Sequence, residues 1–248
     1  MYFILETKIS INEDIISRKD LTMNTAATIK KKGDKGVVME GMLAGWYAKN
    51  TRGEIAEMEK EARAIAASLP PAAAVLEVAP GPGYLAVALA KLGAYRVAGL
   101  DISRSFVRIA KAGARKAGVK VDFRHGDITE APFATDSFDF VVCRAAFKNF
   151  ANPTAALAEM HRMLKPGGQA LIIDMSRDAT DPAIDELVDG MHLGALDGFM
   201  TRRIFKGTLR KRALSPTRFA ALAAASPFGR ADIMAEGIGL EVRLRKAG

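Results

Sequence analysis

The sequence predicts an α/β fold in which a parallel β-sheet carries helices on both faces. Between residues 74 and 175, short apolar runs alternate with helical patterns of about 10–15 residues, as in doubly wound sheets. At the C-terminal end, two alternating runs joined by Gly237-Ile238-Gly239 predict a closing hairpin. The chain has 248 residues, 49% hydrophobic and 26% charged, which is enough apolar material for one large domain.

The elements are predicted in a regular order. A helical pattern begins at Ile55 and ends before Pro70-Pro71, because proline cannot continue a helix. Apolar runs then predict strands at 74–79, 96–101, 119–126, 137–145 and 169–175, with helices at 84–93, 103–118 and 153–164. The closing hairpin is formed by strands at 231–237 and 240–246, and the second of these alternates apolar with charged residues.

Capping residues predict where four helices start. Ser103 precedes one helical pattern, and Asn152 followed by Pro153 precedes another. By the same logic, Asp181-Pro182 and Ser215-Pro216 begin two later helices. The helical segment 177–214 therefore separates the fifth strand from the last helix.

The N-terminal region differs from the rest of the chain. Residues 1–38 lack sustained periodicity and contain KKKGDKG, so we predict a flexible N-terminal arm, within which Met23 is an alternative start. The opening residues do not fit a secretory signal, and no apolar run reaches the roughly 20 residues that span a bilayer. The single cysteine, Cys143, excludes a disulfide framework and a cysteine-based metal site. We therefore expect a cytoplasmic protein with no metal centre.

Candidate ligand-binding residues cluster where the predicted strands end. Open parallel sheets bind ligands at the carboxyl ends of their strands. After the first strand, Gly81 and Gly83 allow a ligand to approach the backbone and the amides of the next helix. Asp101 follows the second strand, 20 residues after Gly81, where a carboxylate accepts both hydroxyls of a ribose. Asp127 follows the third strand and can accept from an exocyclic amine, so the joint pattern predicts a nucleoside-type ligand.

These motifs resemble one enzyme family. In order, VLEVAPGPGYLAVALA, GLDIS, GDI, DSFDFVVCRAAFKNF, HRMLKPGGQALIID and the terminal hairpin resemble class I S-adenosylmethionine-dependent methyltransferases, especially the broad small-molecule group. The match covers about residues 46–246. It implies a Rossmann-like seven-stranded sheet of order 3-2-1-4-5-7-6 with strand 7 antiparallel. It also implies a methyltransferase domain at 39–248 with a substrate-cap insertion at 177–214.

The resemblance implies S-adenosylmethionine as cofactor and S-adenosylhomocysteine as product. The glycine turn then holds the methionine part, Asp101 the ribose, and Asp127 with Ile128 the adenine. Glu77 orders the loop and the ligand's amino group. Tyr47 either reaches the cofactor carboxylate or packs the arm on the core. The complete predicted cofactor-binding set is Tyr47, Glu77, Ala79, Gly81, Gly83, Tyr84, Asp101, Ile102, Gly126, Asp127, Ile128, Cys143, Arg144 and Ala145.

The chain departs from the family pattern in the glycine turn. Ala79 stands where glycine is more common, and Pro80 stands where the family has a small residue. We expect Ala79 to need a negative φ, and Pro80 lacks an N–H, so one backbone donor is missing. The departures predict a reshaped turn and leave open a catalytically silent cofactor-binding interaction protein.

Methyl transfer from a sulfonium is an in-line displacement, in which the protein mainly aligns the nucleophile and excludes water. A base is needed only when the acceptor must lose a proton. Lys148 and Asn149, after the fourth strand, are candidates to contact the acceptor, with capping of the next helix as the alternative. His192, in the predicted cap, is a candidate general base, with an exposed or packed histidine as the alternative.

Positive charge is concentrated in the predicted cap. The net charge is +8, and basic residues cluster between Arg202 and Arg212. We hypothesise that they favour an anionic acceptor, or an anionic membrane surface near a lipid acceptor; the alternative is a solvated helix face. Replacing Arg202, Arg203 and Lys206 by glutamate should then weaken acceptor affinity.

Two other enzyme classes share parts of this sequence pattern. An NAD-dependent oxidoreductase is disfavoured by Glu77 inside the first strand and by the closing hairpin. A nucleic-acid methyltransferase is disfavoured because RAAFKNF stands where an Asn/Asp-Pro-Pro-aromatic motif is usual. We therefore predict methylation of a small-molecule acceptor, with the acceptor atom left open. A homodimer formed through residues 1–52 is a candidate assembly.

Overall fold

A computed structural model describes residues 39–248 with the exception of Ala94, and the predicted arm at 1–38 lies outside it. Within the described residues, seven strands form one sheet of order β3-β2-β1-β4-β5-β7-β6. The strands are β1 Ala74–Val78, β2 Arg96–Asp101, β3 Asp122–His125, β4 Phe138–Arg144, β5 Leu164–Met175, β6 Asp232–Glu236 and β7 Gly239–Arg245. Strands β1 to β5 pair in parallel, and β7 is antiparallel to both β5 and β6. The predicted fold class and strand order are confirmed.

Helices cover both faces of the sheet. They are α1 Gly41–Asn50, α2 Ile55–Ala66, α3 Tyr84–Lys91, α4 Arg104–Lys116, α5 Pro153–Met163, α6 Asp181–Gly190, α7 Ala195–Ile204, α8 Arg210–Arg212 and α9 Pro216–Ala224. A π-helical turn, Phe205–Leu209, connects α7 to α8. Buried side chains of α2, α3 and α4 form one core cluster with the sheet, and those of α5 and α9 form a second.

Residues 177–214, which we call the cap, have a smaller core of their own. Met175 at the end of β5 packs with Ile184 and Val188 of α6, Phe205 of the π-helical turn, and Ile238 of the hairpin turn. This cluster attaches the cap to the carboxyl edge of β5. No helix among the described residues is long and apolar enough to cross a membrane.

Three of the four predicted helix caps are confirmed. The side chains of Ser103, Asn152 and Ser215 accept from backbone N–H groups in the first turns of α4, α5 and α9. The fourth prediction was wrong by one residue. Thr180 caps α6 by accepting from the Ala183 N–H, and Asp181 is already helical. Either residue can cap a helix, and residue type alone does not distinguish between two adjacent candidates.

Candidate functional site

A cavity of about 300 Å³ lies at the carboxyl ends of the parallel strands. Most of the predicted cofactor-binding residues line it: Tyr47, Glu77, Ala79, Gly81, Tyr84, Asp101, Ile102, Gly126, Asp127, Ile128, Arg144 and Ala145. Its other walls include Met39 and Thr51 near α1, Phe150 after β4, and Leu209 and Arg212 of the cap. The cavity therefore has a sheet side, formed by the strand-end loops, and a cap side.

Asp101 organises the glycine loop that borders the cavity. One carboxylate oxygen, Oδ2, accepts from the Gly81 N–H at 2.9 Å, and the other, Oδ1, accepts from the Ser103 N–H at 2.8 Å. The side chain is buried, and such charge-assisted bonds are stronger than neutral ones. Asp101 thus holds together the loops after β1 and β2, a role that sequence reasoning missed.

The turn after β1 adopts a glycine-like backbone although it begins with alanine. Ala79 has φ 55°, so the expectation of a negative φ was wrong. Its N–H donates to the Leu100 carbonyl at 2.8 Å, which continues the β1–β2 pairing up to this residue. An alanine in this left-handed conformation costs about 1 kcal/mol or more. The fold therefore keeps Ala79 in a backbone conformation that alanine disfavours.

The two glycines of the turn have different roles. Gly81 has φ 54°, borders the cavity and has open space where a Cβ would stand. Gly83 is not among the residues that line the cavity, and its predicted place beside the ligand stays a prediction. A Cβ at Gly83 would lie 2.7 Å from Phe123 Cζ and 2.8 Å from Ala110 Cβ, so this glycine is required for packing of α3 against β3 and α4.

Glu77 is a buried carboxyl at the cavity wall. Its Oε2 accepts from the Ala86 N–H at 2.8 Å, in the first turn of α3. Helix α3 is preceded by Gly83, which has no side chain to cap it, so Glu77 supplies the missing acceptor. Desolvation raises the pKa of Glu77 to about 8. A cationic group placed beside this carboxyl would favour its ionised form.

The loop after β3 presents a second carboxylate. Asp127 Oδ1 accepts from the Thr129 N–H and hydroxyl, both at 2.9 Å. Its other oxygen, Oδ2, has no hydrogen-bond partner among the residues the structure describes. Gly126 and Ile128 line the cavity on either side. An acceptor next to an apolar wall fits the edge of an adenine ring, so the residues present fit a nucleoside-type ligand.

A buried ion pair places Arg144 at the cavity. Its Nε donates to Glu61 Oε2 of α2 at 2.9 Å, and both side chains are largely buried. Burial raises the pKa of Glu61, whose Oε1 has no hydrogen-bond partner in the described part of the chain. Sequence reasoning missed Glu61. The available signal was its position beside Met58, Ala62 and Ile65, which form the buried side of α2.

Helix α1 is fastened over the cavity by contacts far apart in sequence. Glu40 accepts from the N–H groups of Arg104 and Ser105 at 3.0 and 3.1 Å, at the start of α4. The hydroxyl of Tyr84 donates to the Ala48 carbonyl at 2.5 Å. Tyr47 lines the cavity and also stacks edge-on against Phe106, with ring centroids 5.7 Å apart. Both interpretations of Tyr47 are therefore compatible with its position.

Cys143 is not among the residues that line the cavity, and its predicted cofactor contact stays a prediction. Its side chain is fully buried in the core cluster with Val141 on the α5 and α9 face of the sheet. Burial raises the pKa of its thiol well above the ordinary value, which makes it an inert core residue. Both faces of β4 are apolar, so the sequence did not reveal which face Cys143 occupies.

The three candidate catalytic residues have different surroundings. Lys148 is buried and lies outside the cavity lining, and its Nζ donates to Asp174 Oδ1 at 2.7 Å and to the Ala145 carbonyl at 2.5 Å. Asn149 lines the cavity, and its buried Oδ1 has no hydrogen-bond partner among the described residues. His192 is exposed, lies outside the cavity lining and contacts the Gly190 carbonyl through Nδ1 at 2.7 Å. The structure thus brings only Asn149 of the three to the cavity.

Most of the basic cap residues between 202 and 210 are neutralised by α6. Arg202 pairs with Asp189, Lys206 with Asp185 at 2.7 Å, and Arg210 with Asp181 at 2.6 Å. We call these three pairs the cap ladder. Arg202 and Lys206 are therefore held by carboxylates of α6, and their contact with an anionic acceptor stays a prediction. Arg212 lines the cavity and has no ion pair or side-chain hydrogen bond among the described residues.

Comparisons with known proteins agree with this architecture. Residues 76–172 match the family described as "Methyltransferase domain". The chain is 34% identical to an uncharacterized methyltransferase of Bacillus subtilis, YcgJ, over 49% of this chain and 47% of that protein. It is 32% identical to a demethylmenaquinone methyltransferase of Clavibacter sepedonicus, over 62% of this chain and 63% of that protein.

The chain spans about half the length of the first curated relatives it matches. A solved structure from Methanococcus maripaludis, described as a candidate S-adenosyl-L-methionine-dependent methyltransferase, superimposes with a TM-score of 0.69. The two chains are 21% identical, and the match covers 84% of this chain and 93% of that one. At this identity the likeness concerns the fold.

Proposed function

Because residues 76–172 of this chain are a methyltransferase domain of the class I S-adenosylmethionine-dependent family, we propose that the protein methylates a small-molecule acceptor. The match to a methyltransferase domain and the shared fold support the predicted family, enzyme class and cofactor. The observation that carries the proposal is the cavity at the strand ends, where Glu77, Asp101 and Asp127 surround the glycine loop. The acceptor and the residues that contact it are part of the proposal.

The residues of the sheet side would hold the cofactor. Asp101 would accept from the ribose hydroxyls while keeping the Gly81 loop in place, and Asp127 Oδ2 would accept from the adenine amine. Glu77 would face the cationic amino group, which favours its ionised form. When bound, S-adenosylmethionine supplies an electrophilic methyl carbon. Arg144, fixed by Glu61, adds a positive charge suited to a carboxylate.

The acceptor would lie between the sheet and the cap. Ala146, Phe150 and Leu209 give this part of the cavity apolar walls, while Asn149 Oδ1 and Arg212 provide an acceptor and a cation. One relative is named demethylmenaquinone methyltransferase, and another is named ubiquinone biosynthesis O-methyltransferase. We therefore propose an aromatic acceptor of quinone or phenol type with a polar or anionic oxygen.

This arrangement favours alignment over proton abstraction. The Lys148 ammonium is held by Asp174 and His192 lies outside the cavity lining, so neither is positioned to deprotonate an acceptor there. An acidic phenol or a stabilised enolate ionises without a strong base, and in-line alignment then provides most of the acceleration. The cap would exclude water from the transfer. A cytoplasmic location also remains part of the proposal.

Calorimetric titration of the full chain with S-adenosylhomocysteine tests the cofactor site. We expect micromolar binding, and we expect Asp101→Ala to weaken it about 100-fold, because a buried charge-assisted bond contributes about 1.5–3 kcal/mol. Asp122→Ala, which removes an exposed carboxylate at the start of β3, is the matched control and should bind normally. Binding of NAD alone would contradict the proposal.

Once the cofactor binds, turnover with hydroxylated aromatic acceptors tests the transfer. We expect Arg212→Gln to raise KM for anionic acceptors without changing S-adenosylhomocysteine affinity. Equal KM values for the variant and the parent would remove Arg212 from the acceptor site. Cofactor binding without turnover on any acceptor would favour the silent interaction protein.

A further inference from the structure

The outward face of α7 is unusually apolar. Leu196 and Phe199 are 62% and 60% exposed, and Met200 and Ile204 are 42% and 43% exposed. Their spacing of three and four residues places them on one side of the helix. Four large apolar side chains exposed together on a helix of 10 residues form a continuous patch, which is typical of an interaction site.

The buried face of the same helix carries small residues instead. Gly198 and Thr201 point into the protein, and Thr201 is 2% exposed. A helix that only packs on its own domain has the opposite arrangement, with large apolar residues inside and polar residues outside. The described part of the chain therefore leaves the large side chains of α7 exposed.

The charges around the patch indicate its partner. The cap ladder pairs Arg202, Lys206 and Arg210 with α6, on the flank of α7 away from the patch. Arg203, within the apolar face, and Lys211, in α8, are exposed and have no ion pair among the described residues. An apolar face interleaved with unpaired cations is complementary to a surface that is apolar inside and anionic outside.

We propose that α7 lies in the interface of an anionic lipid bilayer, with its apolar side chains inserted and Arg203 and Lys211 at the headgroups. Amphipathic helices of this composition bind membranes through buried apolar area together with attraction to anionic lipids. At 10 residues, α7 is about 15 Å long, far short of a span. The geometry therefore corresponds to a helix that lies on the bilayer.

The position of the patch gives this binding a consequence for the site. Leu209 and Arg212, which follow α7 in the same helical segment, line the cavity. Helix α1, whose neighbouring residues Met39 and Thr51 line it from another side, also exposes Met42 and Leu43. Docking would therefore bring the cavity close to the lipid surface, where an apolar quinone-type acceptor resides. This last step rests on the proposed function, whereas membrane binding itself does not.

Vesicle co-sedimentation of the full chain tests the proposal. We expect binding to phosphatidylcholine vesicles that contain phosphatidylglycerol and much weaker binding to phosphatidylcholine alone. The double variant Phe199→Ser/Met200→Ser should lose at least tenfold in partition coefficient on the anionic vesicles. Met234→Ser removes an equally exposed apolar side chain from β6 and should bind like the parent.

A charge variant separates lipid attraction from apolar adhesion. Arg203→Glu/Lys211→Glu should reduce partitioning onto anionic vesicles by roughly 30-fold or more, since each basic residue near the surface contributes about one decade or slightly less. Arg218→Glu/Arg230→Glu changes the net charge equally on residues outside the cap and should have a much smaller effect. Equal losses in the two double variants would overturn the proposed orientation.

Two further measurements distinguish a local loss of lipid binding from misfolding and from self-association. Normal S-adenosylhomocysteine affinity in the α7 variants would show that they are folded and that any lost lipid binding is local. Analytical ultracentrifugation of the full chain tests a second copy as the occupant of the patch. A dimer abolished by Phe199→Ser/Met200→Ser, or no binding to anionic vesicles by the parent, would overturn membrane docking.

Discussion

The two sides of the cavity are stabilised in different ways. On the sheet side, buried carboxylates hold the loops: Asp101 binds the amides of Gly81 and Ser103, and Glu77 binds the first turn of α3. On the cap side, the cap ladder joins α6 to the segment after it through partly exposed ion pairs. Buried bonds to backbone amides resist salt and motion, whereas exposed pairs contribute little and are screened.

This difference suggests different roles for the sheet side and the cap side of the cavity. With the proposed function, a rigid sheet side would keep the cofactor contacts in place before the ligand arrives, which would lower the entropic cost of binding. A weakly held cap would move to admit and release an acceptor. Variants on each side of the cavity test whether the contrast in stabilisation is real.

The largest effect is expected where the loop after β4 is fastened to β5. Lys148→Met leaves Asp174 as an unpaired buried carboxylate, and we expect a loss of about 3–5 kcal/mol in the free energy of unfolding, measured with urea. Lys165→Met, which removes the partly exposed partner of Asp139, should cost no more than about 1 kcal/mol. Similar losses in the two variants would contradict the contrast.

A second variant separates stability from chemistry at Lys148. Lys148→Met/Asp174→Asn removes both charges and keeps an acceptor for one of the two backbone amides, those of Lys148 and Met175, that Asp174 now accepts from. We expect part of the stability to return. If turnover returns with it, Lys148 is a positioning residue; if turnover stays lost in the stable variant, Lys148 is catalytic as the sequence predicted.

The next effect is a pH dependence from Glu77. Its pKa is raised from an ordinary 4.5 to about 8 in the folded protein, so the folded state binds the proton more tightly than the unfolded state. Its stabilising contribution is therefore complete below pH 4.5 and is lost as the pH rises through 8. Between about pH 5 and 8 we expect a loss of roughly 3 kcal/mol that is absent in Glu77→Gln. Parallel stability profiles for the parent and Glu77→Gln would refute this assignment.

A smaller effect is expected on the cap side. Lys206→Met removes the central pair of the cap ladder and should cost about 0.2–1 kcal/mol at low salt. The difference from the parent should shrink in high salt, because exposed pairs are screened. Lys211→Met, which removes an unpaired cation from the next turn, should not change stability. A loss that persists in high salt would mean that the cap is fastened as firmly as the sheet side.

The smallest effect concerns the turn after β1. Ala79→Gly relieves the left-handed strain but adds freedom to the unfolded chain, so we expect a net gain of at most about 1 kcal/mol in unfolding free energy. Ala72, before β1, has φ 60° and lies outside the cavity lining, which makes Ala72→Gly the matched control. If only Ala79→Gly also weakens S-adenosylhomocysteine binding, the strained alanine serves the site and not the fold alone.

Short-range sequence patterns were sufficient to predict most of the strands, helices and helix caps and the position of the site. Strand and helix periodicity, the caps at Ser103, Asn152 and Ser215, and the glycine turn followed by Asp101 all depend on residues close together in sequence. The same signals placed Asn149 and Asp127 at the strand ends, where the cavity lies. Such features are readable because backbone geometry and hydrophobic period are short-range properties.

Tertiary structure alone decided which side chains meet. The Arg144 side chain meets Glu61 across 83 positions, the Glu40 side chain accepts from the Arg104 N–H across 64, and the Lys148 side chain meets Asp174 across 26. Tertiary structure also buries Cys143 in the core, requires Gly83 for packing, and pairs Lys206 of the basic cluster with Asp185 of α6. Pairing and burial depend on distances between segments far apart along the chain, and only the folded arrangement sets those distances.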